Sequence, residues 1–211
     1  MSYIGSKPAN KPVVASDLDP TVITGQTALA TSPADTDEFL ISDAGVLKRL
    51  DASLIGGGGK IGQVVQTVKT DIFTSTTASL TDVTGFSVAI TPSASNSKVL
   101  VMVQYSLGAT TGYKMYSSLL RGSTEIYIGD AAGNRVRRSF GSKANANDDA
   151  RSVSHIFLDS PSTTSETTYK LQAYPENGGT LVFNASKSSN DSDQAIYSRD
   201  AASITVMEIL A

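Results

Sequence analysis

The clearest pattern along the chain is an alternation of apolar and polar positions, which is the pattern of a β-strand. It is strongest over residues 98–107. The apolar positions that share one face there are Val99, Val101, Val103, Tyr105 and Leu107. Leu100 and Met102 fall on the opposite face, so we expect that face not to be fully solvated either.

Similar but shorter patterns predict strands over residues 61–70, 86–90, 113–121, 123–128, 152–159, 167–174, 180–183 and 202–210. In the last of these the phase changes between Val206 and Met207, which predicts a bulge or burial on both faces. About eight to ten strands without a helix predict a mainly β protein, an antiparallel β-sandwich of jelly-roll type. Because several strands are apolar on both faces, we expect one face to meet another subunit of a closed homo-oligomer.

The pattern changes at Gly56–Gly59, because four consecutive glycines suit neither a helix nor a regular strand. We therefore predict three parts: an extended arm over 1–55, a linker over 56–60 and a β head over 61–211. The arm holds four prolines, and a disordered tail is the alternative interpretation for it. Within the arm, 38–51 predicts a β-hairpin, with Gly45 at the turn position that needs a positive φ.

Composition narrows the classes of function. Charged residues are only 18% of the 211 and the net charge is −3. The chain therefore has no overall positive electrostatic field that would attract nucleic acid. Cysteine is absent, which excludes disulfides and cysteine metal sites and fits folding in a reducing cytosol. We expect no signal peptide at residues 1–5, and no membrane insertion because no apolar run nears ~20 residues.

The motifs that would indicate catalysis are incomplete. Gly59-Lys60 fails the phosphate-loop spacing, since Leu54 stands where a glycine is needed and Ile61 follows the lysine. His155 is the only histidine and is interpreted as a strand residue, exposed or hydrogen-bonded. The acidic pairs at 148–149 and 191–193 lack calcium-loop spacing and are interpreted as solvated turns. We therefore predict no enzyme, no catalytic residues, no cofactor and no metal.

One basic cluster is a candidate for binding phosphate or an acidic glycan, and three nearby tyrosines are candidates for stacking on a sugar. They are Arg135, Arg137, Arg138, Tyr113, Tyr116 and Tyr127. In a strand, Arg135 and Arg137 would share a face. We expect recognition on loops 130–149 and 184–193, because loops on rigid β scaffolds carry function. The alternatives are a salt-bridged strand edge for the arginines and core positions for the tyrosines.

Four segments resemble bacteriophage virion proteins, particularly tail fibres of marine and cyanobacterial phages. They are residues 33–41 with 45–50, residues 119–130, residues 203–209 and the opening residues 1–5. The resemblance implies a homotrimeric virion protein that is assembled in the host cytoplasm and leaves by lysis. Typical fibres have a long shaft between anchor and head, whereas this chain has only four glycines there. This difference favours a short fibre or a decoration protein.

The resemblance also implies partners. The arm would attach to the phage tail or another virion protein, and the head would lie distally and recognise a host-surface polysaccharide. The candidate anchoring residues are Tyr3, Ile4, Val13, Val14, Phe39 and Ile41. The alternative is a tail adaptor, or a capsid decoration or head-fibre protein, with no receptor binding.

Overall fold

The structure is a computed structural model and describes residues 27, 33–34, 36–44, 46–54, 60–190 and 192–210. The chain divides into two compact units, Met1–Gly57 and Gly58–Ala211. The predicted glycine hinge lies outside the described residues, and so do the anchoring candidates Tyr3, Ile4, Val13 and Val14.

The first unit contains the predicted hairpin. Strands β1 (Glu38–Asp43) and β2 (Val46–Asp51) pair antiparallel, and a 3₁₀ turn, Ala52–Leu54, follows them. The turn has a positive φ at Ala44 (50°), one residue before the predicted Gly45, which lies outside the described residues. Phe39 is exposed and Ile41 is half-buried, while Leu40 is 70% exposed.

The head contains eleven strands and one four-residue helix among its described residues. They are β3 (Ile61–Lys69), β4 (Phe73–Ser75), β5 (Thr81–Ile90), β6 (Lys98–Ala109), β7 (Lys114–Arg121), β8 (Thr124–Ile126), β9 (Phe140–Lys143), β10 (Ala150–Asp159), β11 (Thr167–Pro175), β12 (Leu181–Phe183), α1 (Lys187–Asn190) and β13 (Ala202–Ile209). The predicted strand 123–128 is therefore shorter than expected, and the predicted loop 130–149 contains β9.

The strands form two antiparallel sheets. In the first, the order is β3–β13–β6–β10, and β12 with β4 extends the sheet beside the far end of β6. In the second, the order is β5–β11–β7, and β8 and β9 share the remaining edge of β7. When β8 and β9 count as one strand and the short β4 and β12 are left out, eight main strands remain in the head. Numbered 1 to 8 in chain order, they lie in the orders 1-8-3-6 and 2-7-4-5 in the two sheets. This is the jelly-roll arrangement, so the predicted fold class is confirmed.

The core lies between the two sheets. The five residues that the alternation over 98–107 placed on one face are all buried. At the centre, the Phe183 ring lies 5.1 Å from Phe86 and stacks on Tyr105 at 5.4 Å. Leu100 and Met102 point away from this core and are half-buried, as the sequence predicted.

A buried ion pair joins the sheets at one end of the sandwich. The Asp159 carboxylate accepts from Arg121 Nη1, 2.9 Å from both oxygens, and from the Tyr169 hydroxyl at 2.6 Å. Asp159 is buried, whereas about a third (32%) of the Arg121 side chain is exposed. Burial, then the hydrogen bond to Asp159, raises the pKa of Tyr169, so its hydroxyl keeps its proton and donates.

A second buried carboxylate accounts for the change of phase in β13. β13 itself has no bulge, because it pairs with β6 without a break, and the register shift against β3 places the extra residue in β3. Glu208 is buried in regular alternation with Val206 and points inward, while Met207 and Ile209 on the other face are half-buried. Of the two predicted explanations, burial on both faces therefore applies. Its carboxylate accepts from Ser93 N (2.6 Å), Ser93 Oγ (2.7 Å) and Gln63 Nε2 (2.9 Å). Burial alone would raise the pKa of Glu208, but the hydrogen bonds outweigh it and lower that pKa to about 2.

The Glu208 carboxylate makes the free energy of unfolding depend on pH below about 4.5. Because the pKa of Glu208 is about 2 when folded and near 4.5 when unfolded, the unfolded chain binds more protons between these values. We expect the free energy of unfolding to fall as pH drops from 4.5 to 2, and Glu208→Gln to lose less over that interval. Urea unfolding at pH 3 and pH 6 measures the loss of stability in the wild type and in Glu208→Gln. Equal losses in the two proteins would contradict this role of Glu208.

Candidate functional site

Three of the six binding candidates meet at one open groove of about 750 Å³ beside the end of β8. The groove is lined by Glu125, Ile126, Tyr127, Ile128, Gly129, Arg137, Arg138, Ser139 and Phe157. Arg135, Tyr113 and Tyr116 are not among its lining residues. The arginine cluster therefore contributes two of its three members to this site.

Tyr127 is the distinctive residue of the groove. Its φ of 53° lies in the left-handed region, which is rare for a bulky side chain and costs of the order of 1–3 kcal/mol. This conformation ends β8. The ring is 44% exposed and lies 5.4 Å from both the His155 and Phe157 rings, meeting His155 edge-on. The two rings of β10 thus support an exposed aromatic surface.

The arginines lie in an irregular segment of the predicted loop 130–149, and not in a strand in which Arg135 and Arg137 would share a face. Residues 129–139 are irregular, and a turn closes where Arg135 N donates to Ala132 O at 3.2 Å. The physical reason is that β8 and β9 already pair along this edge of β7, so the segment between them has no strand to join. Arg135 and Arg137 consequently share no strand face.

Arg138 contributes to the packing of the head. Its guanidinium lies 5.4 Å from the centroid of the Tyr174 ring and forms an ion pair with Glu125 at 3.3 Å. Glu125 also accepts from Ser118 Oγ at 2.7 Å. Arg137 instead uses Nε to donate to Gly129 O at 2.6 Å. Because that bond engages only Nε, the exposed Arg137 can present its terminal nitrogens to a ligand.

Two of the predicted tyrosines pack within the head and are not among the residues that line the groove. The Tyr116 ring stacks on Tyr174 at 4.9 Å. Tyr113 lies so close to Gly179 that a Cβ at this glycine would fall 2.9 Å from the tyrosine side chain. Both tyrosines are half-buried, and neither belongs to the core between the sheets that the alternative interpretation assigned to them.

His155 supports the groove from below. Its Nε2 lies 3.0 Å from the Tyr105 hydroxyl, which is 2.6 Å from Ser117 Oγ. All three side chains are buried, and burial lowers the pKa of His155. The imidazole therefore stays neutral near pH 7 and acts as a hydrogen-bonded platform under Tyr127. Sequence alone gave no signal that His155 and Tyr127 would meet.

The second predicted recognition loop lines a separate polar groove of about 880 Å³. Its lining residues are Ser189, Asn190, Ser192, Asp193, Gln194, Ala195, Tyr197 and Arg199. Asn184, at the start of this loop, is buried, and its amide donates to Lys69 O and Asp71 O at 2.9 and 3.2 Å. The beginning of the loop is thus a fixed part of the scaffold.

The acidic pair at 148–149 closes a turn. The Asp149 carboxylate accepts from Asn145 N at 2.9 Å and Ala146 N at 3.3 Å, and it contacts Arg151. Asp191 of the other acidic group lies outside the described residues. Within the part of the chain that the structure describes, no three acidic or histidine side chains are grouped as metal ligands would be. The same part contains no helix that is long and apolar enough to span a membrane.

Comparison with known proteins gives little further information. No protein-family model matches the chain, and no curated protein matches it. Among solved structures, that of the infectious bursal disease virus Gt strain matches with 12% identity and a TM-score of 0.39, over 80% of this chain and 41% of that chain. The VP2 subviral particle of the same virus matches with 11% identity and a TM-score of 0.37, over 70% of this chain and 41% of that one. The present chain thus spans about two fifths of either protein, and at these TM-scores the likeness carries no argument about function.

Proposed function

We propose that this chain is a bacteriophage virion structural protein, a short tail fibre that forms a homotrimer. Its N-terminal arm attaches to the tail, and its jelly-roll head presents the Tyr127 groove to a host-surface glycan. The sequence segments that resemble phage fibres support the virion role. The observation that carries the binding role is the half-exposed Tyr127 ring, held in a strained backbone conformation beside Arg137.

The chemistry of the groove suits a sugar with an acidic group. The exposed aromatic ring offers a flat surface for the C–H face of a sugar ring. Arg137 offers a guanidinium for a carboxylate or phosphate. An open groove of this kind binds weakly, and three heads on one fibre would gain strength through simultaneous attachment.

The hairpin supports attachment through the arm. A two-stranded hairpin is marginally stable alone in water, so it needs a surface on which to pack. Phe39 and Leu40 expose apolar side chains on β1, and Val46 does so on β2. These side chains fit contacts with another virion protein, and the half-buried Ile41 follows Leu40 in β1.

The groove can be tested with two single substitutions. Tyr127→Ala and Arg137→Ala are each expected to weaken binding to host-surface polysaccharide about tenfold, which corresponds to ~1.4 kcal/mol. Tyr197→Ala, in the separate polar groove, is the matched control and should bind like the wild type. Arg138→Ala is unsuitable, because it also breaks the ion pair with Glu125. Binding lost in Tyr197→Ala, but kept in Tyr127→Ala, would contradict the site.

One observation favours a second function, that of a tail adaptor or capsid decoration protein without receptor binding. Arg138, Tyr116 and Tyr113 all pack within the head, so half of the candidate binding residues are occupied structurally. Under this function, Tyr127→Ala and Arg137→Ala would leave adsorption of particles to host cells unchanged.

A further inference from the structure

The outward side of the first sheet carries an apolar surface that the proposed glycan groove does not use. We define the outer face as the side chains of β3, β13, β6 and β10 that point away from the core. Its first row across the strands is Val64, Met207, Leu100 and Leu158, and all four are aliphatic. The outward side of a solvated antiparallel sheet is normally polar, so this row is unusual.

The next two rows contain uncharged side chains throughout. The second row is Gln66, Thr205, Met102 and Ile156, and the third is Val68, Ser203, Gln104 and Ser154. Gln66 Nε2 already donates to Thr205 Oγ1 at 2.7 Å. Covering the face would therefore bury no charge in these rows, and the Gln66 and Thr205 groups would keep each other as partners.

The exposed apolar side chains lie at the two edges of the outer face. Ile156, on β10, is 65% exposed and Leu158 is 46% exposed. Val64 and Val68, on β3 at the opposite edge, are more than half exposed. The central Leu100 and Met102 are half-buried. The face thus has an exposed apolar margin at each edge, and the apolar side chains at its centre are less exposed.

The face also has a depression that an apolar side chain could enter. It measures about 220 Å³ and is lined by Met102, Val103, Gln104, Ser154, Ile156, Ser203 and Thr205. With strands ~4.8 Å apart and rows ~7 Å apart, the three rows cover roughly 400 Å². A standard interface buries about 800 Å² on each partner, so this face would supply the apolar centre of one.

We infer that the outer face is the surface through which copies of this chain associate, and that the β10 edge of one copy packs against the β3 edge of the next. This inference rests on the proposed homotrimer and names the surface that builds it. Three such faces around a threefold axis would bring each Ile156 margin to the Val64 margin of a neighbour. The absence of charge in the three rows removes like-charge repulsion between identical copies there, and these rows offer no cation to attract nucleic acid.

Substitution at the two margins tests the inference in the full chain. Sedimentation equilibrium should show a trimer for the wild type, whose monomer is 22.0 kDa, and a monomer for Ile156→Lys and for Val64→Glu. The double variant should recover trimer, because the new lysine and glutamate would meet across the contact. Ile196→Lys, at a 79% exposed site outside the face, is the matched control and should remain trimeric. Thermal unfolding of each monomer checks that the head is intact.

The outcomes separate this inference from the proposed function. If the wild type is trimeric and both single variants remain trimeric, the outer face is overturned while the fibre proposal stands. A double variant that remains monomeric overturns the edge-to-edge contact. If the wild type is a monomer at all concentrations, both the outer face and the proposed trimer are overturned, whereas polysaccharide binding by the Tyr127 groove would still be measurable.

Discussion

Replacing Asp159 with alanine is expected to lower the free energy of unfolding by about 3 kcal/mol. The substitution removes the carboxylate that both Arg121 and Tyr169 contact, so the Tyr169 hydroxyl loses this acceptor and the Arg121 guanidinium loses its counter-charge but keeps the bond to Ser160 O at 3.2 Å. The cost of breaking a buried ion pair in this way is typically ~3–5 kcal/mol. We expect the lower end, because water still reaches the exposed third of Arg121.

Asp82→Ala is the matched control for this prediction. Asp82 also bridges two side chains, Lys170 at 2.9 Å and Gln172 at 2.7 Å, but it lies at an exposed site. Loss of an exposed ion pair costs no more than ~1 kcal/mol. Urea unfolding at pH 7 compares the two variants, and similar losses in both would show that the Asp159 network does not hold the sheets together.

Phe183→Ala is expected to be at least as damaging, with a loss of about 3–5 kcal/mol. The Phe183 side chain is fully buried and contacts Phe86 and Tyr105, so its removal leaves a cavity lined by aromatic rings from both sheets. Because β12 has only three residues, few other contacts can compensate. Phe183→Leu retains most of the volume and should cost about 1–2 kcal/mol.

Denaturant unfolding monitored by tyrosine fluorescence measures both variants. Phe39→Ala, on the hairpin, provides the control for loss of an exposed phenylalanine, and it should leave the unfolding of the head unchanged. A loss below ~1 kcal/mol for Phe183→Ala would mean that the centre of the core lies elsewhere.

The individual strands of the fold were predictable from the sequence, because each depends on a local pattern. Alternation over 98–107 identified the buried face of β6, and the aliphatic Leu100 and Met102 correctly indicated an opposite face that is not fully polar. The phase change after Val206 correctly indicated apolar side chains on both faces of β13, which has no bulge of its own. It could not show that Glu208 is the inward residue, because an acidic side chain breaks the apolar pattern even where hydrogen bonds make its burial favourable.

The candidate site was less predictable, since it depends on contacts between distant segments. Arg137 and Arg138 are adjacent in sequence, yet one borders the groove with its terminal nitrogens available and the other packs on Tyr174. Tyr127 and Tyr116 look alike in sequence, but only the first follows a strand that ends in a left-handed turn. Local pattern carries no information on which neighbour each side chain meets.

The most direct test of the proposed function is antibody labelling of intact phage particles, with an antibody raised against the head, residues 61–211. We predict label at the tail and loss of adsorption to host cells when the antibody is bound. Label over the capsid would contradict the tail fibre and favour the decoration protein. The absence of label on any particle would contradict the virion role itself.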